Sequence, residues 1–576
     1  MKEKRLLKKA EAGVGVIRET LTEWRMLGPY IKKNRYGIIA YIVIGIVGIA
    51  LGLSINVAGK HLIDAVINRN RDIIIPVISV VIGLGLARIA FSAVSSRVEA
   101  HINTSVVNRV RADIFSSILS TKWLSFSDFH SGELINRIEG DVNTAASGIV
   151  NFIPNVVTRS AQFIGILAII LYYDPVMALL SLGSAPILVL SSRMMARTMK
   201  KYNKLSREMN GKILSFNEET FQNITVVKAF DLAVIYCKNL GTLLSAHRRY
   251  QLDYNKFMII MKTVMSLIGM AVAYGCYGWG VWQLWNGNIT YGTMTLFLRL
   301  SGQLTTSFSQ LVSLVPNAIS IGTSAGRIKE IFELPHEDQS RKPEAEAIFA
   351  KAGKSSLSIK AENVSFKYPA APSYAFRNVD FYAGSGEKIA FVGESGGGKT
   401  TTLRLLLGLI SPETGTIRLS SDQGSIDISE STRCFFSYVT QGNEIFSGTI
   451  ESNMRSVVPG ATDEDIASAL KTADAWGFVS GLPDGIYSEI GERGANLSQG
   501  QIQRLNIARS ILRSAPVLLM DEATSALDPE TERRVLENLM KADPGRICVI
   551  TTHRESILPY CDRVYRIHDG KCELQS

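Results

Sequence analysis

Cysteine is scarce in this chain and carries no pattern. The six residues, Cys237, Cys276, Cys434, Cys548, Cys561 and Cys572, form no CxxC and no metal-ligand spacing, so they read as packing residues rather than a disulfide framework or zinc site. The N-terminal stretch MKEKRLLKKAEAGVGVIRET lacks a hydrophobic signal core and a small-residue cleavage site, so removal of a leader is not expected. Low-complexity segments and convincing internal repeats are also missing. From Thr263 to Leu298 there is no Lys or Arg at all.

What is abundant is apolar sequence, crowded into the first part of the 576 residues. A bilayer core of about 30 Å needs roughly 20 apolar helical residues. Tyr36 to Val57, Ile73 to Val94, Ile149 to Tyr172, Pro175 to Met195, Met258 to Trp285 and Met294 to Val315 supply six such runs. The net charge of +10 invites a nucleic-acid reading. Its placement argues against one, because the basic excess sits in Lys2 to Arg35 and Arg193 to Lys262, flanking apolar runs in the positive-inside pattern. Both termini and the long connections Ser95 to Gly148 and Arg197 to Lys256 are therefore assigned to the cytoplasm. Those connections have apolar positions at helical spacing among charges, as in Val106, Val107, Val110 and Ile114, and so read as helical stalks. An amphipathic stretch from Glu23 to Tyr30 is expected to lie along the inner membrane surface.

Beyond the polar, Pro-bounded segment Leu334 to Pro343, short β-rich runs at Leu357, Lys388 to Val392, Val517 to Met520 and Ile547 to Ile550 alternate with helical stretches. Gly393-Glu-Ser-Gly-Gly-Gly-Lys399-Thr400 fits G-x-x-x-x-G-K-[ST] directly after one of these strands and before a helical stretch. Glycine lets backbone N–H groups curl around phosphates, Lys399 adds a positive charge, and the Thr400 hydroxyl suits Mg2+. The apolar run Pro516 to Met520 ends in Asp521 and Glu522, suited to the Mg2+ shell and to polarising an attacking water.

With these motifs in place, the segment from Leu357 onward resembles the nucleotide-binding domain of the ATP-binding cassette (ABC) family. The distinguishing residues are Leu497-Ser-Gln-Gly-Gln501, similar to the signature L-S-G-G-Q. The resemblance implies ATP contacts from Gly393, Ser395, Gly396, Gly397, Gly398, Lys399, Thr400 and Thr401. It implies Tyr368 against adenine, Asp528 in the loop crossing between subunits, and Ser498, Gly500 and Gln501 reaching ATP held by a second copy. Gln441 is implied as the Mg2+-sensing glutamine, with Thr400 and Asp521 as its fellow metal contacts. Glu522 and His553 are implied as the groups that act on water and on the terminal phosphate. The sequence departs from the family pattern at Gln499, usually Gly, at Thr440, often Pro, and between Ser420 and Ser431, where the usual Asp-Gly turn is lacking.

The order of parts resembles the exporter branch, implying residues 1–35 as a cytoplasmic N-terminus, 36–333 as a six-helix transmembrane domain, 334–356 as a linker and 357–576 as an α/β P-loop ATPase domain. Phe126 to Asp141, including Phe129, and Val227 to Asp231 are similar to the branch's coupling segments, and Glu492 matches the loop that touches them. The implied function is ATP-driven outward movement of an amphipathic drug, lipid or peptide by a dimer in a bacterial cell membrane, with a second copy of the chain as the simplest partner, a heterodimer as the alternative, and nucleic acid not among the expected partners. A ligand-sensing or immunity ATPase and an importer stand as alternatives. Arg88, Arg159 and Arg299 lie within or near the spans, where an ionised side chain by default faces a watery path; they point to a cavity for anionic cargo. The competing reading is that they snorkel to an interface or pair with Glu99 or a helix-end carbonyl.

Overall fold

The computed structural model describes residues 24–575, apart from 127–128, 130, 183–184, 352–356, 370, 395, 443 and 492–493. The chain divides into two compact units, Met1–Ser120 with Ser127–Leu334, and Thr121–Phe126 with Pro335–Ser576.

The first unit is helical. Its long helices are α1 (Arg35–Ile67), α2 (Arg71–Leu119), α3 (Gly148–Tyr173), α4 (Pro175–Leu182), α5 (Ala185–Gln222), α6 (Ala233–Trp285) and α7 (Tyr291–Phe332). Among the described residues, Arg35–Ile67, Arg71–Leu119, Gly132–Tyr173 and Ala233–Trp285 are long and apolar enough to cross a membrane. At most 11% of their most apolar windows is buried within the protein. Ile75, Leu86, Ile89 and Trp285 stand exposed, so this surface requires lipid rather than water. The expected span Pro175 to Met195 falls partly outside the described residues. The span Met294 to Val315 is helical within α7, but Arg299, Gln303 and Gln310 dilute its hydropathy. With 49 residues in α2 and 53 in α6, these helices run about 74 and 80 Å at ~1.5 Å per residue, more than twice a bilayer core.

Two polar ties hold this unit. Asp64 near the end of α1 accepts from the Gly292 backbone and from Thr290, both at 2.9 Å. A Cβ at Gly292 would stand 2.5 Å from Asp64 and from the Lys60 carbonyl, so only glycine fits there. In the stalk region the buried Arg137 pairs with Glu133 and Glu330, each at 2.8 Å, and Arg327 pairs with the buried Asp141 at 3.3 Å. Charges buried there persist because each is matched. The stretch before α1 is a short turn, Arg25–Leu27, followed by a helix, Gly28–Lys33. Leu27 is buried among Ile102, Val106 and Ile149, and Tyr30 donates to Asp113 at 2.8 Å. This stretch is thus pinned to the helices by its apolar face as well as suited to an interface.

The second unit contains β1 (Ser358–Phe366), β2 (Phe376–Ala383), β3 (Lys388–Val392), β4 (Thr414–Ser421), β5 (Gly424–Asp427), β6 (Phe436–Val439), β7 (Gly448–Thr449), β8 (Glu489–Ile490), β9 (Val517–Asp521), β10 (Ile547–Thr552), β11 (Arg563–His568) and β12 (Lys571–Leu574). One sheet has the order β12-β11-β3-β10-β9-β6, and a four-stranded antiparallel sheet runs β2-β1-β4-β5. From β11 to β6 the larger sheet is parallel. Every residue of β9 and β10 is buried, as expected for central strands covered on both faces. Thr121–Phe126 packs within this unit through Trp123 and Leu124, and Lys122 donates its backbone N–H to Pro335 at 2.8 Å.

Candidate nucleotide site

In a parallel sheet, ligand-binding groups gather at the carboxyl ends of the strands. The register places Thr551 of β10 opposite both Phe391 of β3 and Asp521 of β9, so these three strands end together. The glycine loop follows β3, Asp521 and Glu522 close β9, and His553 follows β10. The motifs lie far apart in sequence, and the strand order 3-10-9 makes them neighbours.

The loop after β3 needs its glycines. Gly393 has φ 158°, and a Cβ there would stand 2.3 Å from the Ile567 carbonyl oxygen. Gly398, at φ 107°, caps helix α8 (Lys399–Leu406), whose first N–H groups have no partner within the helix. A helix N-terminus of this kind attracts phosphate. Lys399 is buried, and its Nζ donates to the Gly393 and Glu394 carbonyls at 2.9 and 3.0 Å. The ammonium is thereby held over the loop rather than pointed at solvent. Ser395 lies outside the described residues.

Asp521 is buried at the end of β9 and accepts from Thr551 at 2.6 Å, from Thr400 at 3.3 Å and from the Tyr438 hydroxyl at 3.3 Å. Burial, then the charge of Asp521, pushes the Tyr438 hydroxyl above its ordinary range, so it stays a donor. Glu522 adopts φ 46°, uncommon for a non-glycine residue, and its N–H donates to Thr551. Its carboxylate receives Gln441 Nε2 at 2.8 Å and lies 3.8 Å from Lys399 Nζ and 3.6 Å from His553 Nδ1. Lys399, Gln441 and His553, drawn from three separate motifs, therefore converge on one carboxylate.

Tyr368 packs edge-on against Phe366, with its hydroxyl 3.2 Å from Thr401 Oγ1 and receiving Arg404 at 2.9 Å. It is thus tethered to α8 beside the phosphate loop. Ser498 caps helix α9 (Gln499–Leu512) in a reciprocal pair with Gln501. A Cβ at Gly500 would stand 3.2 Å from the Ala526 carbonyl, a tight approach. Among the described residues, no hydrogen bond or ion pair joins Ser498, Gly500 or Gln501 to the phosphate loop. Asp528 caps helix α10 (Pro529–Ala542) through the Thr531 N–H, and that bond holds its carboxyl below the usual range.

The sequence-derived candidates Phe129 and Asp231 belong to the helical unit. The Arg137 guanidinium stacks over the Phe129 ring at 5.0 Å, and Asp231 closes the turn after the helix Ile224–Ala229 with φ 51°. Glu492 lies outside the described residues.

Four residues of the site carry no motif signal. Thr551 and Tyr438 hold Asp521, and Gln503 donates to Ser525 at 3.0 Å while accepting from the Ala526 N–H. Arg554, next to His553, donates to the Ser525 and Leu527 carbonyls at 2.6 and 3.2 Å and to the buried Glu532 at 3.1 Å. Gln503 and Arg554 together clamp the loop 525–528 from both sides.

The chain matches the ABC transporter transmembrane region family over residues 38–308 and the ABC transporter family over residues 376–525. It is 28% identical over 554 residues to a protein of Staphylococcus aureus named for multidrug export ATP-binding/permease function, covering 94% of each chain. It is likewise 28% identical over 486 residues to an export ATP-binding/permease protein of Rickettsia felis, covering 82% of this chain and 81% of the relative. A solved bacterial Atm1-family ABC exporter with ATP bound has the same fold, with a TM-score of 0.80 at 21% identity over 94% of this chain and 95% of that one. The two matches together span most of the sequence, and the chain is a multi-pass membrane protein of the ABC transporter family, with its transmembrane region and ATP-binding domain fused in one polypeptide.

Proposed function

We propose that this chain is one half of a dimeric exporter that couples ATP hydrolysis to outward movement of an amphipathic molecule, such as a drug, lipid or peptide. The observation that carries the reading is the convergence of Lys399, Gln441 and His553 on Glu522 beside the buried Asp521. A carboxylate so placed orients a water and accepts its proton as the water attacks the terminal phosphate. Lys399 and the N–H groups opening α8 meet the phosphate charge, and His553 steadies the attacking side. Tyr368, tethered beside the phosphate loop, is positioned to face the base.

Thr400 Oγ1 and the Asp521 carboxylate, 3.3 Å apart, fit a hard cation such as Mg2+, which prefers oxygen ligands; Gln441 is the third group assigned to it. Held by Thr400, Asp521 and Gln441, such a cation would supply neutralisation of phosphate charge. Because, among the described residues, Ser498, Gly500 and Gln501 open α9 with no hydrogen bond or ion pair to their own phosphate loop, a second copy of the chain is the simplest source of the signature for each site. Both half-sites are intact in one sequence, which favours a homodimer. The absence of Lys and Arg from Thr263 to Leu298 supports a cytoplasmic ATP-binding domain, in a bacterial cell membrane. Phe129 and Asp231 are assigned to coupling between motor and membrane helices.

Two assays test this. Inside-out vesicles carrying the chain should accumulate an amphipathic dye in an ATP-dependent manner, and the Glu522→Gln vesicles should not; equal uptake by both would refute the mechanism. Lys399→Ala and Ser498→Arg chains should each be inactive alone, while their mixture recovers ATPase activity, since a mixed dimer contains one intact composite site. No recovery from demonstrably mixed dimers would refute the shared site.

A further inference from the structure

We propose that the membrane-embedded cavity of this chain binds an amphipathic anion, with Arg88 and Arg159 as a two-point clamp for its headgroup; the proposal rests on the export reading above. The cavity measures about 420 Å³ and lies among α1, α2, α3 and α7. That volume falls in the range of small-molecule sites. Arg88 and Arg159 line it together with the amides Gln162 and Gln303, while Ile49 and Phe91 give it an apolar wall.

Depth decides between a ligand site and a snorkelling arginine. The Arg88 guanidinium carbon lies 3.5 Å from where a Cβ at Gly52 would stand. Gly52 is near the midpoint of α1, about 25 Å from Arg35 and about 22 Å from Ile67 at ~1.5 Å per residue. Arg159 is about 21 Å along α3 from Tyr173 on the same scale. Both charges therefore sit well inside the helical span rather than at its ends, where a long side chain reaches water most readily.

Pairing with an internal carboxylate is the other way to neutralise such a charge. Glu99, the acid nearest in sequence to Arg88 on α2, instead accepts from Tyr41 at 3.1 Å. The Arg159 guanidinium donates to the neutral Gln162 at 3.2 Å. Arg159 acts on Tyr41 with a charge opposite to that of Glu99, yet among the described residues no carboxylate comes within 4.0 Å of either guanidinium, so two cationic forks line one cavity without a direct ion pair. A guanidinium recognises carboxylate and phosphate oxygens by paired N–H donors, and the apolar wall accommodates an aliphatic or aromatic body. Arg299 stands apart: its Nη1 lies 3.8 Å from the Cβ position of Gly59, about 10 Å farther along α1, and it is not among the lining residues.

The test uses the full-length chain in lipid nanodiscs and two fluorescent probes of equal body, dansylaminoundecanoate and its methyl ester, each corrected for empty nanodiscs. The carboxylate should bind at least about tenfold more tightly than the ester, the scale of a charge-assisted hydrogen bond. Arg88→Gln and Arg159→Gln should each erase most of that difference while ester binding persists, and Arg88→Lys should restore part of it. Equal binding of the two probes by the unmodified chain would overturn the proposal without any variant, as would undiminished carboxylate preference in both glutamine variants. The failures are separable. Charge discrimination without ATP-driven uptake would sink export and leave the anion site, whereas ATP-driven uptake without discrimination would do the reverse.

Discussion

Gln441 donates its side-chain amide to Glu522 at 2.8 Å, joining the segment after β6 to the end of β9. The bond fixes one carboxylate oxygen of Glu522 and leaves the other toward Lys399 and His553. Glu522→Gln preserves the shape but removes the base, so hydrolysis should fall roughly a hundredfold to ten-thousandfold while ATP binding is kept. Gln441→Ala should lower kcat more than it raises KM for ATP, because it disturbs orientation and not the phosphate cradle. Steady-state ATPase assays with a parallel nucleotide-binding titration check both; unchanged turnover in Glu522→Gln would refute the role given to that residue.

Thr551 offers a sharper test of how the carboxylates are held. Its hydroxyl donates to Asp521 at 2.6 Å, within a wholly buried strand. Thr551→Val keeps the volume but leaves part of a buried carboxylate unsatisfied, a cost of about 1–3 kcal/mol. The unfolding midpoint of the ATP-binding domain should therefore drop by several degrees, at ~2–4 °C per kcal/mol for a domain of this size. Thr551→Ser should recover most of the loss. A valine variant as stable as the parent would show that the bond contributes nothing.

Thr551 also shows where sequence reading stops. The glycine loop and Asp521-Glu522 are contiguous runs whose phosphate chemistry follows from local spacing, and the signature run carries the family resemblance, so the two-part fold is legible directly. Thr551 acts on Asp521 only because β10 is inserted between β3 and β9, and no spacing rule in one chain announces that order. Arg554 is similar: adjacent to His553, it reads as a surface cation until the fold brings Ser525, Leu527 and Glu532 around it. In the membrane region the apolar runs identify helices, but not which face each turns to a neighbour. Arg88, Arg159 and Arg299 all read as cations within or near apolar runs; packing against Gly52 and Gly59 sets Arg88 and Arg299 at different levels.

Arg554 carries the next prediction. Its guanidinium ties the Ser525 and Leu527 carbonyls to Glu532, which is 3% exposed. Arg554→Ala strands that buried carboxylate, and breaking one partner of such a pair typically costs about 3–5 kcal/mol. Arg554→Lys cannot reach all three acceptors, since a single ammonium replaces a planar fork. The lysine variant should thus fold but lose ATPase activity through a displaced loop 525–528, whereas a merely structural Arg554 would give a lysine variant with full turnover once folded.

The buried Cys548 and the half-buried Cys561 and Cys572 predict an alkaline limit. Burial pushes the Cys548 and Cys572 thiols up to about 12 and the Cys561 thiol up to about 11, well above the ordinary thiol range. Each thiol is held neutral in the folded domain and ionises more readily once unfolded. Below about pH 9 both states are protonated, and whatever these groups contribute is fully present. Above it, the unfolded chain sheds protons that the folded chain keeps, so stability falls as pH rises toward the folded values. Denaturant midpoints measured between about pH 8 and pH 10.5 should decline, and the decline should flatten in a Cys548→Ala, Cys561→Ala, Cys572→Ala chain. Thiol labelling gives an independent readout: the exposed Cys237 should react in the native protein, with Cys548 protected until unfolding. A midpoint independent of pH across this window, or prompt native labelling of Cys548, would contradict the burial from which the shift arises.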